Sequence, residues 1–308
     1  MAAVVASALG GPPQGLADSL AAAEPAAGRE AASVVAVARP NLRAGIEYGY
    51  AHVDATRTSA SGPGGTQTLR LGAESGQSVT GRLVATVPVF SIVGLRAGVH
   101  GGFREARRSL DALEPGESTL DGYGALAELL VRDPRRGSVA VGGGYDRLEG
   151  DGGVSADQLT ARAEAQIYFP DFGSGPVDWF ASFAFRHRQV AGSGQSFDVD
   201  ADVYDVRGGA RWYAGPDVAV VFAGQWTRSE EEFFSEDDAT GALDLHWRLP
   251  VAAGPVGVEV FAGGFAGVSE YKEPPFRGDR RLLYGGRAGV TLRLFSGVSL
   301  LEAIRRFD

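Results

Sequence analysis

Leu159–Phe169 reads LTARAEAQIYF, and two signals conflict within it. Its Ala, Leu, Glu, Gln and Arg favour helix, yet Leu159, Ala161, Ala163, Ala165, Ile167 and Phe169 alternate strictly with Thr160, Arg162, Glu164, Gln166 and Tyr168. As a strand, the stretch has one continuous apolar face and one charged face. What lies on each side then decides what the protein does. Pro170-Asp171-Phe172-Gly173 ends it as a tight turn.

The same alternation returns along the chain. In LRAGIEYGYAHV, Leu42, Ala44, Ile46, Tyr48 and Tyr50 oppose Arg43, Glu47 and glycines; in VTGRLVATV, Val79, Leu83, Ala85 and Val87 oppose Thr80, Arg82 and Thr86. LRAGVHGGFR, TGALDLHWRL and LLYGGRAGVTLRLF repeat the design. Counted this way, about twelve strands fall near 42–54, 77–89, 92–105, 119–132, 138–148, 156–169, 177–190, 200–213, 217–229, 238–249, 256–269 and 280–295. They are longer than the usual 5–6 residues and match the roughly 9–11 that a tilted strand needs to cross a membrane.

Composition agrees. Of 308 residues 44 % are hydrophobic, with no run of ~18 apolar residues to make a spanning helix. Glycine, at 45 residues, is far above the ordinary ~7 % and sits inside the alternating segments, which weakens helix most. There is no Cys, hence no disulfide framework or thiolate metal site, and the net charge of −9 excludes a surface for duplex nucleic acid.

Connections are of two kinds. DPRRG, PDFGSGP, AGPD and PVAAGP are tight turns; between them lie residues 55–76, ARRSLDALEPGES, EGDGGVS, AGSGQSFDV, SEEEFFSEDD and EYKEPPFRGD, read as longer and mostly acidic loops. Aromatic residues gather beside the short turns: Phe90, Tyr168, Phe169, Phe172, Trp179, Phe180, Trp212, Tyr213, Trp247 and Phe295. From these, Phe90, Phe169, Trp179, Trp212, Trp247 and Phe295 are the expected interfacial girdle.

With long alternating strands, two classes of connection and a girdle in place, residues 42–308 resemble Gram-negative outer-membrane β-barrel proteins of the porin-like kind. The resemblance implies an all-β, antiparallel, up-and-down transmembrane β-barrel in the cell outer membrane. Twelve strands are expected, with fourteen as the alternative if TQTLRLGAE and the tail SGVSLLEAIRRFD each add one. That tail is otherwise a short periplasmic extension from residue 296 or an amphipathic helix. Residues 1–23 read as a secretory signal lacking its positively charged start, cleaved near Ala17 or Ala23, or as a disordered Ala-rich extension. Residues 24–40 read as a flexible periplasmic segment, and residues 41–308 as the barrel.

The polar strand faces carry the functional expectation. Arg43, Arg82, Arg96, Arg104, Arg162, Arg207, Arg211, Arg248, Arg287 and Arg293, with Glu164, Asp205 and Asp244, are the candidate lumen-lining residues that would set selectivity. Arg facing lipid at the midplane would cost about 2–4 kcal/mol, so this face must be wetted or internally paired. The leading expectation is a porin-like channel passing small hydrophilic or anionic solutes by diffusion. The alternative is a structural barrel anchoring an envelope-spanning assembly through its loops or tails. A barrel hydrolase is third, since no GxSxG elbow or Ser–His pairing stands out. No catalytic residue, metal or cofactor is expected: His52, His100, His187 and His246 are scattered, and Asp198, Asp200 and Asp202 lack the rest of a calcium loop. Expected partners are outer-membrane lipid, small solutes, and envelope proteins or further copies of the chain, with no nucleic acid.

Overall fold

The computed structural model describes residues 40–62, 65–110, 113–169, 175–191, 199–231, 235–250, 256–272, 280–294, 300 and 304. The strands are β1 (Asn41–Val53), β2 (Thr56–Gly62), β3 (Gly65–Leu71), β4 (Ala73–Pro88), β5 (Val93–Leu110), β6 (Leu113–Asp133), β7 (Gly137–Gly150), β8 (Val154–Phe169), β9 (Val177–Ala191), β10 (Val199–Gly215), β11 (Val218–Glu231), β12 (Ser235–Leu249), β13 (Val256–Lys272) and β14 (Arg280–Leu294). Twelve of them form one closed antiparallel barrel, and β2 and β3 form a separate hairpin. Closure is made by β1 against β14, paired from Leu42↔Leu294 to Val53↔Leu283. Each neighbouring pair is antiparallel and consecutive around the wall, so no strand of the barrel presents an open edge.

LTARAEAQIYF is part of β8, and its helix-favouring composition is overridden by pairing on both sides, with β7 and with β9. The alternation sorts it by face. Leu159 is 61 % exposed on the outside, whereas Gln158, Glu164, Gln166 and Tyr168 are buried on the inside. The same holds around the wall: Ile46, Val99, Val141, Phe183, Phe222, Leu243, Leu282 and Val290 lie exposed on the exterior. An apolar exterior with every strand paired is the form in which strands cross a membrane, and the protein is an outer-membrane-type β-barrel.

Aromatics at the short-turn rim divide between the faces. Phe90 (71 % exposed), Phe169, Trp179 and Trp247 lie outward, and Trp212 shares the outward parity of β10 at intermediate exposure. Tyr168, Phe180 and Tyr213 instead point inward, because in each adjacent pair of strand residues one must face the other way. Phe172 and Phe295 lie outside the described residues.

Several connections differ from expectation. TQTLRL belongs to β3, which pairs locally with β2 rather than joining the wall, and residues 300 and 304 are helical. A fourteen-strand barrel is therefore excluded: closure already occurs through β1 and β14. ARRSLDALEPGES and SEEEFFSEDD are not long loops, since pairing continues to Leu110↔Leu113 and to Glu230↔Ser235. Polar residues there prolong the hairpins beyond the apolar belt. EGDGGVS keeps one turn of 3-10 helix, Asp151–Gly153. At the opposite rim, DPRRG turns tightly: Arg136 N–H donates to the Asp133 carbonyl at 3.0 Å, and Gly137 has a φ of +153°. A side chain there would meet the Gln166 carbonyl as well as backbone strain. Residues 1–39, including the signal reading, lie outside the described residues, as does most of 295–308.

The facing assignment is testable. Arg introduced at Ala163 or Leu245, on the exterior, should cost about 2–4 kcal/mol. Arg at Ser182 or Thr240, on the roomier interior, should be tolerated. Urea titration of the heat-modifiable gel band measures both, and equal tolerance on the two faces would refute the register.

A candidate lumenal site

The interior is organised by charge pairs that reach across an intervening strand. Asp244 of β12 and Arg287 of β14 both register with Gly263 of β13. Arg287 Nε donates to Asp244 Oδ1 at 3.0 Å, and its Nη2 bonds Oδ2. A methyl group on Gly263 would overlap Asp244 Oδ1, so the glycine leaves the gap through which the pair meets. His100 and Asp146 use Gly124 of β6 in the same way, with His100 Nε2 2.7 Å from Asp146 Oδ1. Glu128 and Arg162 lie on either side of Gly142, 3.7 Å apart.

Toward the short-turn rim these pairs merge into a floor. Arg96 donates to Glu128 at 3.0 Å and lies 4.0 Å from Glu164, which also accepts from Arg162 and Gln166, both at 2.7 Å. Across the lumen, Glu259 accepts from Arg293 Nη2 at 2.9 Å and contacts His246 Nδ1 at 2.8 Å. Asp178 accepts from the Tyr213 hydroxyl at 2.6 Å, with Arg211 Nη1 3.9 Å away. Glu128, Asp178 and Asp244 are at most 2 % exposed. Burying such charges costs several kcal/mol per ion, and removing one partner of a buried pair typically costs about 3–5 kcal/mol, so each carboxylate depends on its neighbours.

Above this floor the wall is less crowded. Thr80, Arg82, His100, Thr160, Arg162, Ser182, Arg186, Gln225 and Thr240 are partly exposed on the interior. Asp205 accepts from Gln225 and Thr227, and Arg186 Nη2 lies 4.0 Å from it. Farther out, Arg104 reaches Glu74, Arg188 donates twice to Gln158, and Arg281 donates to Glu236 at 2.7 Å. Lys272, closing β13 at the long-loop rim, pairs with Asp237 at 2.7 Å.

All thirteen charged residues singled out by sequence fall on the lumenal parity of their strands, from Arg43 on β1 to Arg287 and Arg293 on β14. The structure divides them by height. Arg43, Arg96, Arg211, Arg248, Arg293 and Glu164 belong to the buried half nearer the short turns. Arg82, Arg162, Arg207, Asp205 and the Asp244–Arg287 pair line the middle, and Arg104 the long-loop half. Arg207 and Arg211 also stack on inward-facing Phe180, at 4.9 and 5.7 Å from its centroid. Sequence reading passed over Glu128, Arg132 and Asp146. Their even-numbered parity on β6 and β7 was the available signal, masked by the doublet Leu129-Leu130 and by the glycine run 142–144.

Each histidine faces one carboxylate: His52 with Asp54, His100 with Asp146, His187 with Asp202 and His246 with Glu259. Among the described residues no three His, Asp or Glu converge as a metal site. Asp202 bonds His187 at 2.8 Å, and Asp198 and the RGD at 277–279 lie outside the described residues.

Neither a protein-family model nor a curated protein sequence matches the chain. In shape it is similar to an outer membrane channel from Pseudomonas putida F1, at 9 % identity and a TM-score of 0.49, covering 86 % of this chain and 100 % of that one. A FadL homologue of Pseudomonas aeruginosa is similar at 8 % identity and a TM-score of 0.48, covering 84 % and 90 %. The translocator domain of the autotransporter NalP from Neisseria meningitidis gives 11 % and 0.47, covering 81 % and 87 %.

The bridging role of Gly263 predicts a contrast between two glycines. Gly263→Ala should push Asp244 off Arg287 and lower barrel stability by about 1–3 kcal/mol. Gly241→Ala, where nothing lies within 4 Å of the added carbon, should be neutral or stabilising by up to about 1 kcal/mol. Urea midpoints of the two variants in detergent check this.

Proposed function

We propose that the protein is an outer-membrane channel through which small hydrophilic solutes diffuse, with a modest preference for anions and no cofactor or covalent chemistry. The observation that supports this most is the middle of the lumen, where polar side chains stay reachable by water between crowded ends. Among the partly exposed charges there, Arg82, Arg162 and Arg186 stand against Glu47 and Asp146, while Arg207, Asp205 and the Asp244–Arg287 pair are buried. Fixed positive charge in a narrow aqueous path raises the local concentration of anions and repels cations. The acidic residues of the β11–β12 hairpin, Glu230, Glu231, Glu236, Asp237 and Asp238, act oppositely at the outer mouth and moderate the preference.

A second reading is supported by the floor. Its buried ion pairs would equally suit a structural barrel that anchors an envelope assembly without passing solute. Single-channel recording of purified protein in planar bilayers decides between them. Conductance steps with a reversal potential on the anion side support the channel; bilayers that stay silent across salts, with folded protein present, favour the anchor.

If the channel conducts, Arg82→Gln with Arg186→Gln should lower the anion-to-cation permeability ratio by roughly twofold without loss of the folded band. The difference should fade near molar salt, where the Debye length is about 3 Å. These two side chains are chosen because Arg96, in the floor, holds Glu128 and Glu164, so removing it would confound folding with selectivity.

A further inference from the structure

On the outer face, the wall from β9 through β14 to β1 carries an apolar groove of about 1080 Å³. Register places its outward lining in two neighbouring rows. One runs from Trp179 through Ala210, Phe222, Leu243 and Gly264, and reaches Tyr50 across Gly286. The other, nearer the long-loop rim, runs through Gly224, Gly241, Ala266 and Tyr284, with Gly208 continuing it on β10. The row between them faces the lumen, so only its backbone meets the groove. Small residues thus form the floor, and half-exposed Trp179, Phe222, Leu243, Tyr284 and Tyr50 stand up around it.

The barrel does not need glycine at that floor. A carbon added at Gly208 or Gly224 meets nothing nearer than 3.6 Å, and one at Gly241 nothing within 4 Å. Among the described residues the positive-φ glycines are Gly137, Gly153 and Gly175, so no backbone strain calls for glycine in these rows either. Glycine inside a strand weakens it and marks a place where something else comes close. A second copy set about a twofold axis would bring groove to groove and fill neither. Within the apolar belt of an outer-membrane barrel, hydrocarbon chains remain as the occupant.

Toward the long-loop rim the same outward faces become charged. Arg228, Asp237, Glu270 and Arg280 form one register row across β11–β14, and Lys272 stands one row higher on β13. The carboxylates of this set lie low, Asp237 and Glu270 being 17 and 29 % exposed, while Arg228, Lys272 and Arg280 reach 39, 42 and 75 %. Glu230 accepts from Arg228 Nε at 2.7 Å, which leaves the other edge of that guanidinium facing out. The cations therefore form two stations, Arg228 on one side and Lys272 with Arg280 on the other. Arg228 and Arg280 are three interstrand steps apart, roughly 14 Å.

We propose that this outer face is a lipid site, with acyl chains in the groove and phosphates at the two cationic stations. The groove spans six interstrand steps, roughly 29 Å along the wall, which is wider than one hydrocarbon chain. Two stations call for two phosphates. Longer loops mark the extracellular rim of such barrels, so the lipid belongs to the outer leaflet. The chemistry that meets all three conditions is a doubly phosphorylated glycolipid with several acyl chains. The site lies on the exterior and is independent of whether the lumen conducts.

Purified lipid A is the probe, titrated against the detergent-solubilised full chain and counted by native mass spectrometry, with the heat-modifiable band verifying that each variant is folded. Gly224→Leu with Gly241→Leu fills the groove. Arg228→Gln with Arg280→Gln removes a phosphate contact from each station, at exposed positions that leave the barrel assembled even if the leucines do not. Ala125→Leu, on the outer face of β6 and away from the groove, is the control. The parent chain should bind lipid A, each double variant should bind it roughly fivefold or more weakly, and the control should match the parent. A groove-filled barrel that binds as the parent does overturns the groove, and unchanged binding by the arginine variant overturns the headgroup assignment. Phosphatidylglycerol bound as tightly as lipid A would overturn the glycolipid.

Discussion

The constraint on which everything else rests is the seam between β1 and β14. In hydrocarbon an unpaired N–H or C=O costs several kcal/mol, so a sheet that enters the membrane must close on itself. Twelve consecutive registers, from Leu42↔Leu294 to Val53↔Leu283, make that closure, and β13 on the far side of β14 continues it without slip. Closure fixes the stagger of every strand. Because the stagger is fixed, Asp244 meets Arg287 over Gly263, and His100 meets Asp146 over Gly124. A slip of one residue at the seam would turn β1's Arg43 and Glu47 to lipid and Ile46 and Tyr48 inward.

The interior charges illustrate how such a wall tolerates what it buries. A carboxylate taken out of water is costly, and the Coulombic return from one cation rarely covers it alone. Glu128, Glu164 and Glu259 therefore each sit among several donors: Glu164, for example, touches Arg162, Arg96 and Gln166. Shared donors make the floor cooperative, so losing one side chain strands several partners. The hydroxyl positions of the middle, Thr80, Ser182 and Thr240, stand partly exposed between the charge pairs and are the places where the lumen can change residues with least effect on the barrel.

Much of the wall was legible because period two leaves little freedom. Once Leu159 and Ile167 are assigned outward, Glu164 and Gln166 must be inward, and the same arithmetic placed lumenal arginines on β1, β4, β5, β8, β10, β12 and β14. It also divides the aromatic doublets: in Tyr168-Phe169, Trp179-Phe180 and Trp212-Tyr213 neighbours face opposite ways, and Phe169, Trp179 and Trp212 are the members on the outward parity. Strand ends were less readable. The stretch Arg107–Ser118 is polar enough to read as loop, yet a hairpin above the membrane needs no apolar face, only a partner. Pairings across a third strand were out of reach, since Asp244 and Arg287 are separated in sequence and meet only through a gap at Gly263 whose register depends on β13. The segment beyond Leu294 offered strand, helix and tail equally, and the bond from the Leu300 amide to Asp217, far back in the chain, is a tertiary fact.

The pairing of Lys272 with Asp237 at the long-loop rim has an analytical side. All other basic side chains of this protein are Arg or His, so that ammonium is the one primary amine any side chain carries, and it stands 42 % exposed at the top of β13. Chemically, the rim has a unique address. An acylating reagent too polar to cross the bilayer would mark one side chain from one side of the membrane, reporting the barrel's orientation without altering a single residue.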